Sequence, residues 1–334
     1  MKLSEIEKRE FSRYLARFDF SQAFKNKTVL VTGAGGMTGQ AFVKWLLLLG
    51  NCKIYASTRN PDKKPTFIDE SDNIVFVKFG EELDINDSID FILHAASPTQ
   101  RSDFVDKPVE TIKAIVNGTI NILELAKERK SKVLYLSSCE VYGAANSIEP
   151  LKEDYIGSID SLNVRSSYPL SKKEAELLCW SYQKEYGVQT SVVRISAIQG
   201  LYQPYDSQRV ESEILRCVLE TKNLIMKSDG LTKKSFVYTL DVVSGLLSIL
   251  AYGTEPVYNL TNNSTYLTIR DLAKIVFNLF NPKCQIEYAA QQSTGFLSHL
   301  SYTQDTTKLK SIGWEPITSL EQVYRVDIER FKNE

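Results

Sequence analysis

Two rhythms of apolar and polar positions alternate along this chain. Short apolar runs of strand length stand at Thr28–Thr32, Lys53–Thr58, Ile74–Phe79, Phe91–Ala95, Lys132–Leu136 and Val188–Ile195. Between them lie stretches with helical spacing. Helices are predicted at Gly36–Leu49, stopped by Gly50, at Pro108–Arg129, and at Tyr168–Tyr186. In the second of these, Val109, Ile112, Ile115, Val116, Ile120, Leu123 and Leu125 carry the periodicity. Strands alternating with helices predict βαβ units and a parallel sheet covered on both faces. Right-handed crossovers then make this an α/β fold with a doubly wound parallel sheet of the Rossmann type.

After about Gly200 the rhythm changes. Leu201–Arg209 is polar and irregular, as a site-lining loop is. A helix follows at Val210–Thr221, a short strand at Lys233–Thr239, a helix from Asp241 and another over Thr268–Phe280. Thr268, with Asp271 three residues on, resembles a capping box. The chain therefore divides into a helical extension (1–26), a dinucleotide-binding Rossmann domain (27–200) and a smaller C-terminal α/β portion (201–334) that binds substrate. Within the last portion, residues 236–255 return to the first domain.

Composition narrows the function classes. Net charge is −1, with 43% hydrophobic and 24% charged residues, which suits a soluble protein with no nucleic-acid or membrane partner. The longest apolar run, Trp45–Leu49, is far below the ~20 residues that span a bilayer. The first ten residues lack the apolar core of a signal peptide. Five cysteines are scattered without CxxC spacing, and the two histidines, His94 and His299, stand far apart. Neither a metal site nor a disulfide framework is expected, and free thiols fit a reducing cytoplasm.

Three local patterns carry chemistry. First, Gly33, Gly36 and Gly39 follow a strand and open a helix, with Met37 between them. Such a turn lets the backbone approach a pyrophosphate, and the helix N-terminus favours its charge. Ala95 and Ala96 close the fourth strand with small residues that let the backbone lie beside the same cofactor. At the end of the second strand, where an acidic residue would hold a ribose, stand Ser57, Thr58 and Arg59. Arg59 can pair a 2′-phosphate, which favours NADP; stacking of Arg59 on adenine, with NAD, stays open.

Second, Tyr168 and Lys172 lie one helical turn apart. A nearby ammonium favours the phenolate, which suits tyrosine to acid/base work, and Lys172 can also hold the nicotinamide ribose. Third, Ser137 and Ser138 end the fifth strand, where doubly wound sheets place their sites. Ser138 is expected to bond the substrate oxygen, with Ser137 as the fallback. Glu140 is a candidate second base, or a residue that orders the loop. Cys139 is expected to be a small buried residue, and His94 to pack against the sheet. Ser97, Arg209 and Lys234 are the further candidates for substrate contact, the two cations for a diphosphate.

Together these residues resemble the extended short-chain dehydrogenase/reductase family, in its nucleotide-sugar epimerase/dehydratase branch. The likeness runs from about Lys27 to Trp314. It rests on Thr32–Gly39, His94-Ala95-Ala96, Asn117-Gly118-Thr119, Leu136–Gly143, Tyr168–Lys172 and Ser235–Asp241. The resemblance implies a catalytic set of Ser138, Tyr168 and Lys172, a bound NAD or NADP, a nucleotide-diphosphate sugar substrate, and a homodimer formed through the helices at Pro108–Arg129 and Tyr168–Tyr186. The stretch Ser138–Gly143 is most similar to dehydratases and UDP-glucuronate decarboxylases, which carry a glutamate where Glu140 stands. Cys139 occupies the place where sugar 4,6-dehydratases add an aspartate, and Lys234 the place of an arginine common in decarboxylases. Ile115 and Ala197 stand where the family often has asparagines, and Leu201 follows Gly200 where proline is usual.

The expected activity is hydride transfer at a sugar carbon, C4 by resemblance, through a 4-keto intermediate, ending in decarboxylation, epimerisation or dehydration. An NADPH-dependent reductase of a keto sugar or other ketone is the rival within enzymes. A non-catalytic cofactor sensor is the rival outside them.

Overall fold

The computed structural model describes residues 3–58, 73–78, 85, 87–289 and 301–333. Arg59 and His299 lie outside the described residues. In chain order the helices are α1 (Glu5–Leu15), α2 (Met37–Leu49), α3 (Arg101–Asp106), α4 (Pro108–Arg129), α5 (Ser167–Tyr186), α6 (Val210–Glu220), α7 (Thr239–Tyr252), α8 (Ile269–Phe280), α9 (Thr307–Ser311) and α10 (Leu320–Asn333). The strands are β1 (Thr28–Thr32), β2 (Lys53–Thr58), β3 (Ile74–Lys78), β4 (Phe91–His94), β5 (Lys132–Ser138), β6 (Thr190–Ile195), β7 (Ala197–Gln199), β8 (Leu224–Met226), β9 (Lys233–Lys234), β10 (Phe236–Tyr238), β11 (Val257–Leu260), β12 (Leu267–Thr268) and β13 (Ile286–Tyr288).

Seven strands form one parallel sheet in the order β11-β6-β5-β4-β1-β2-β3. The chain winds outward from β1 in one direction through β2 and β3, then in the other through β4, β5 and β6. The reversal opens a crevice beyond the carboxyl ends of β1 and β4, where Thr32 is in register with His94. On one face α2 and α7 cover the sheet with Phe42, Trp45, Leu46, Val243 and Leu246. On the other, α4 and α5 bury Ile115, Ile122, Leu123, Ala175 and Cys179. A separate core under α6, α8 and α10 holds the C-terminal portion together, with Ile214, Leu272, Val276 and Tyr324 buried in it.

Several predicted boundaries move, each for a physical reason. β5 runs past Leu136 to Ser138 because its ladder with β6 continues, pairing Ser137 with Arg194 and Ser138 with Ile195. The single strand expected at Lys233–Thr239 is two: β9 pairs with β12 and β10 with β7, and Thr239 already belongs to α7. The seventh strand, β11, is four residues long and carries the buried, polar Asn259, so it shows no apolar run in the sequence. Asn259 is satisfied by donating to the Leu151 carbonyl and accepting from Tyr142.

The charged prelude condenses into α1, started by a capping box between Ser4 and Glu7. Phe11 and Tyr14 pack edge-on against Trp45 of α2. Tyr14 donates to Asp241, whose carboxylate also receives the Ile317 and Thr318 backbone amides. The extension is thus part of the core. Among the described residues, no helix is long and apolar enough to cross a membrane.

Candidate active site

The turn between β1 and α2 is shaped by what a side chain would strike. Gly33 has φ +69°, and a Cβ there would lie 2.9 Å from the Ala95 carbonyl and the Ala96 nitrogen. A Cβ on Gly39 would lie 2.2 Å from the Gly33 oxygen. Gly36 caps α2 with no side-chain hydrogen bond, and Met37 is its first helical residue, so the opening amides face the crevice. At the end of β2, the buried hydroxyls of Ser57 and Thr58 find no hydrogen-bond partner among the described residues. A glycine cradle, an uncapped helix start and two orphaned hydroxyls at the ribose position fit a dinucleotide. Ala95 and Ala96 line the same turn, and the Ala96 amide donates to Thr32.

Across the crevice, α5 projects Tyr168, Lys172 and Glu176 from one face. Lys172 is 3% exposed. Its ammonium donates to the Leu136 carbonyl at 2.7 Å, stands 4.8 Å from the centre of the Tyr135 ring and 5.8 Å from that of Tyr168. Burial drives its pKa down to about 7, against the opposing pull of Glu176 and Cys179. Tyr168 is pushed well above its ordinary value, by burial first and by the Glu140 charge next; a hydrogen bond with Ser138 and the Arg209 charge pull it down. Its ring is seated flat on Phe104 of α3, 4.2 Å between centroids at 16°.

Ser138 sits at the end of β5, and its hydroxyl also accepts the Glu140 amide at 3.2 Å, which starts the short turn Cys139–Tyr142. Ser137 faces away: its hydroxyl donates to Glu176 at 2.5 Å, and the other Glu176 contacts come from Arg194. Glu140 is in contact with an arginine that sequence reasoning missed. The guanidinium of Arg165 pairs with its carboxylate at 2.7 Å and lies 5.3 Å from the Phe104 ring. Arg165 sits in the turn just before α5, three residues ahead of Tyr168. That spacing was its one available signal.

Arg209 opens α6 and is half-buried; it donates to the Ile198 carbonyl, and its charge reaches Tyr168. Lys234 is exposed on β9, and its charge reaches Cys139. Burial, with the Glu140 charge added, pushes the Cys139 thiol up to about 11, so the thiol stays protonated. Ser97 is half-buried at the crevice edge, its hydroxyl turned onto the Pro98 carbonyl. His94 is 2% exposed between Thr32 and Thr119, and burial lowers its pKa to about 3. Its neutral ring is a packing element of β4. Ile115 is buried in the α4 core, so no side-chain amide reaches the crevice from that position.

The sequence pattern of the NAD dependent epimerase/dehydratase family matches residues 29–261. UDP-glucuronic acid decarboxylase 1 of Danio rerio is 27% identical over 338 aligned positions, covering all of this chain and 79% of that protein. UDP-glucuronic acid decarboxylase 2 of Arabidopsis thaliana is 30% identical over 92% of this chain and 69% of its own length. Among solved structures, the dTDP-glucose 4,6-dehydratase of Bacillus anthracis, in complex with NAD, superposes with a TM-score of 0.77 at 23% identity, over 92% of this chain and 97% of that one. The family match spans the glycine turn, the β5 serines and the Tyr168–Lys172 pair, and with it this chain belongs to the NAD-dependent epimerase/dehydratase family.

Proposed function

We propose that this protein is a nucleotide-sugar decarboxylase that oxidises a nucleotide-linked uronic acid at C4, releases carbon dioxide and re-reduces the same carbon. The observation that carries the reading is the charge layout around Tyr168. Arg165 pairs with Glu140, the Arg209 charge reaches Tyr168 and the Lys234 charge reaches Cys139, while Lys172 faces Glu176 on the other side of the tyrosine. A diphosphate together with a uronate is the kind of polyanion such a site accommodates. The curated relatives named above are decarboxylases, which points the same way.

The cofactor would be held by the Gly33–Gly39 turn, Ala95 and Ala96, the Ser57 and Thr58 hydroxyls and Lys172. When bound, it accepts a hydride from the sugar carbon and later returns it. Tyr168, as phenolate, takes the C4 hydroxyl proton while Ser138 steadies the oxygen. The resulting C4 ketone is β to the carboxylate at C6. Its C5–C6 bond can therefore break, with the electron pair delocalised onto the ketone oxygen that Ser138 and Tyr168 hold, and a proton from water then takes the place of the carboxylate at C5 and restores the ketone. Tyr168 then returns its proton as C4 is reduced. Dehydration instead needs an acid to expel the 6-hydroxyl. At that position stands Cys139, a thiol held up at about 11, beside a Glu140 that is tied to Arg165.

The test is mass spectrometry of a nucleotide-sugar panel after incubation with protein and NAD or NADP. Loss of carbon dioxide from a uronate supports the reading. Loss of water, an unchanged mass with a new chromatographic peak, or gain of two hydrogens with NADPH would replace it with dehydratase, epimerase or reductase. Preference for NADP over NAD rests on Arg59, and the ratio of their dissociation constants before and after Arg59→Ala tests it. A homodimer belongs to the same reading: Val109 and Ile112 on α4 and Leu177 and Trp180 on α5 are exposed on the two helices expected to meet the partner copy. Light scattering at micromolar concentration checks it. A cytoplasmic setting fits the five free cysteines.

A further inference from the structure

We infer that α1 is a clamp on the substrate loop, acting through Glu7 and Tyr202 to hold residues 200–209 in the conformation that presents Arg209. The inference rests on the reading above only for the ligand that Arg209 meets. Glu7, in the first turn of α1, is half-buried, and one of its oxygens does two jobs. It accepts from the buried Lys44 of α2 and, at 2.6 Å, from the Tyr202 hydroxyl. Lys44 in turn lies 4.8 Å from the centre of the Tyr202 ring. Burial pushes the Glu7 carboxyl up, but the bonds from Lys44 and Tyr202 outweigh it and hold it below the usual range. The carboxylate is therefore the counter-charge of a lysine that is 2% exposed.

Tyr202 is an unusual anchor. Its φ is +68°, a region that a bulky residue rarely occupies. Gly200, two residues before, has φ +114° and packs so closely on Tyr238 that a Cβ would come within 2.4 Å of the ring. The rest of the loop is tied from outside the sheet. Thr239 donates to the carbonyls of Gln199 and Leu201, and Arg330 of α10 to that of Gln203. Arg216 donates to the carbonyls of Tyr205 and Ser207. α1 and α10 are themselves joined by the Arg9–Glu329 pair. The end of the tied segment is Arg209, whose charge reaches Tyr168. α1 is thereby connected to the loop directly through the Tyr202 hydroxyl, and less directly through α10.

The experiment compares Glu7→Gln, Tyr202→Phe and the double variant, all as full-length protein. It reads hydrogen exchange of the 201–209 amides, the thermal midpoint, and the dissociation constant for UDP. Each single variant is expected to raise exchange in the loop by about tenfold and to weaken UDP several-fold, with exchange in α5 unchanged. In loop exchange the double variant should be little worse than Glu7→Gln, because the bond that Tyr202→Phe removes is already lost there. Tyr202→Phe leaves the Glu7–Lys44 pair intact, so it remains informative if Glu7→Gln folds poorly. Unchanged loop exchange in Tyr202→Phe would overturn the clamp. A looser loop with unchanged UDP affinity would also overturn it wherever Arg209→Gln does weaken UDP. If Arg209→Gln leaves UDP unaffected too, the diphosphate reading falls, and loop exchange alone decides the clamp.

Discussion

Lys172 offers a test that needs no substrate. Its pKa of about 7 in the folded protein compares with 10.5 for the free side chain. The shift is a depression of a base, so between these values the native state binds fewer protons than the unfolded chain, and stability rises with pH. Below pH 7 the full cost of charging a buried amine applies. Worked through the linkage relation, that cost is about 5 kcal/mol at pH 6 and about 2 kcal/mol at pH 9. Lys172→Met keeps the volume and removes the charge. It also loses the bond to Leu136 and the contact with the Tyr135 ring, but those losses change little with pH. The difference between the two conditions therefore isolates the titration. The variant should gain roughly 3 kcal/mol more at pH 6 than at pH 9, relative to wild type. Urea unfolding of cofactor-free protein at both pH values measures it. An equal effect at pH 6 and pH 9 would refute the reasoning, since it would place the amine in contact with water or with a full counter-charge.

Three other outcomes follow from named contacts. Tyr168→Phe should lower turnover by about 10²–10⁴ while UDP affinity holds, read by steady-state kinetics and calorimetry. Gly39→Ala should abolish NAD binding, because the added Cβ falls 2.2 Å from the Gly33 oxygen and the turn must open; quenching of tryptophan fluorescence by NAD reports it. Arg194→Leu leaves the buried Glu176 with the Ser137 hydrogen bond and the Lys172 charge but without its ion-pair partner, and should destabilise by about 3–5 kcal/mol. Adding Glu176→Leu should recover much of that loss, measured by thermal and urea midpoints.

What could be read in advance divides along a physical line. The Gly33–Gly39 turn, the β5 serines and the Tyr168–Lys172 pair are legible because their chemistry depends on residue types a few positions apart. The strand-helix alternation is legible because each element exposes its own period. Arg165 and Phe104 are not: a guanidinium and a ring become parts of the site only when α3 folds against α5, and the turn before α5 meets Glu140 in the turn after β5. Glu176 looks like an ordinary helix carboxylate until Arg194, on β6, arrives to pair it. β11 hides because a short strand with a buried Asn259 carries no apolar run. α1 reads as a charged prelude because half its polar groups, Glu7 and Tyr14 among them, are spent on partners far along the chain.

The same burial that makes Lys172 testable bears on how one tyrosine can serve both halves of the reaction. In the free protein, burial raises Tyr168 and lowers Lys172, so near neutral pH the phenol is protonated and the amine is only partly charged. Forming a phenolate there costs free energy unless positive charge is brought close, since the local dielectric is low. With an oxidised, cationic cofactor bound in the crevice Tyr168 would therefore be the better base, and with a reduced, neutral one the better acid. In the proposed reaction the proton taken as C4 is oxidised is returned to the C4 oxygen as it is reduced, while the proton that replaces the carboxylate at C5 is a separate one, drawn from water. The Glu140 carboxylate is taken up by Arg165, and the Cys139 thiol, held up at about 11, is a weak acid. A proton that cycles on Tyr168 suits a carbon that is oxidised and then reduced again, and a thiol as weakly acidic as Cys139 is poorly suited to expelling a hydroxyl.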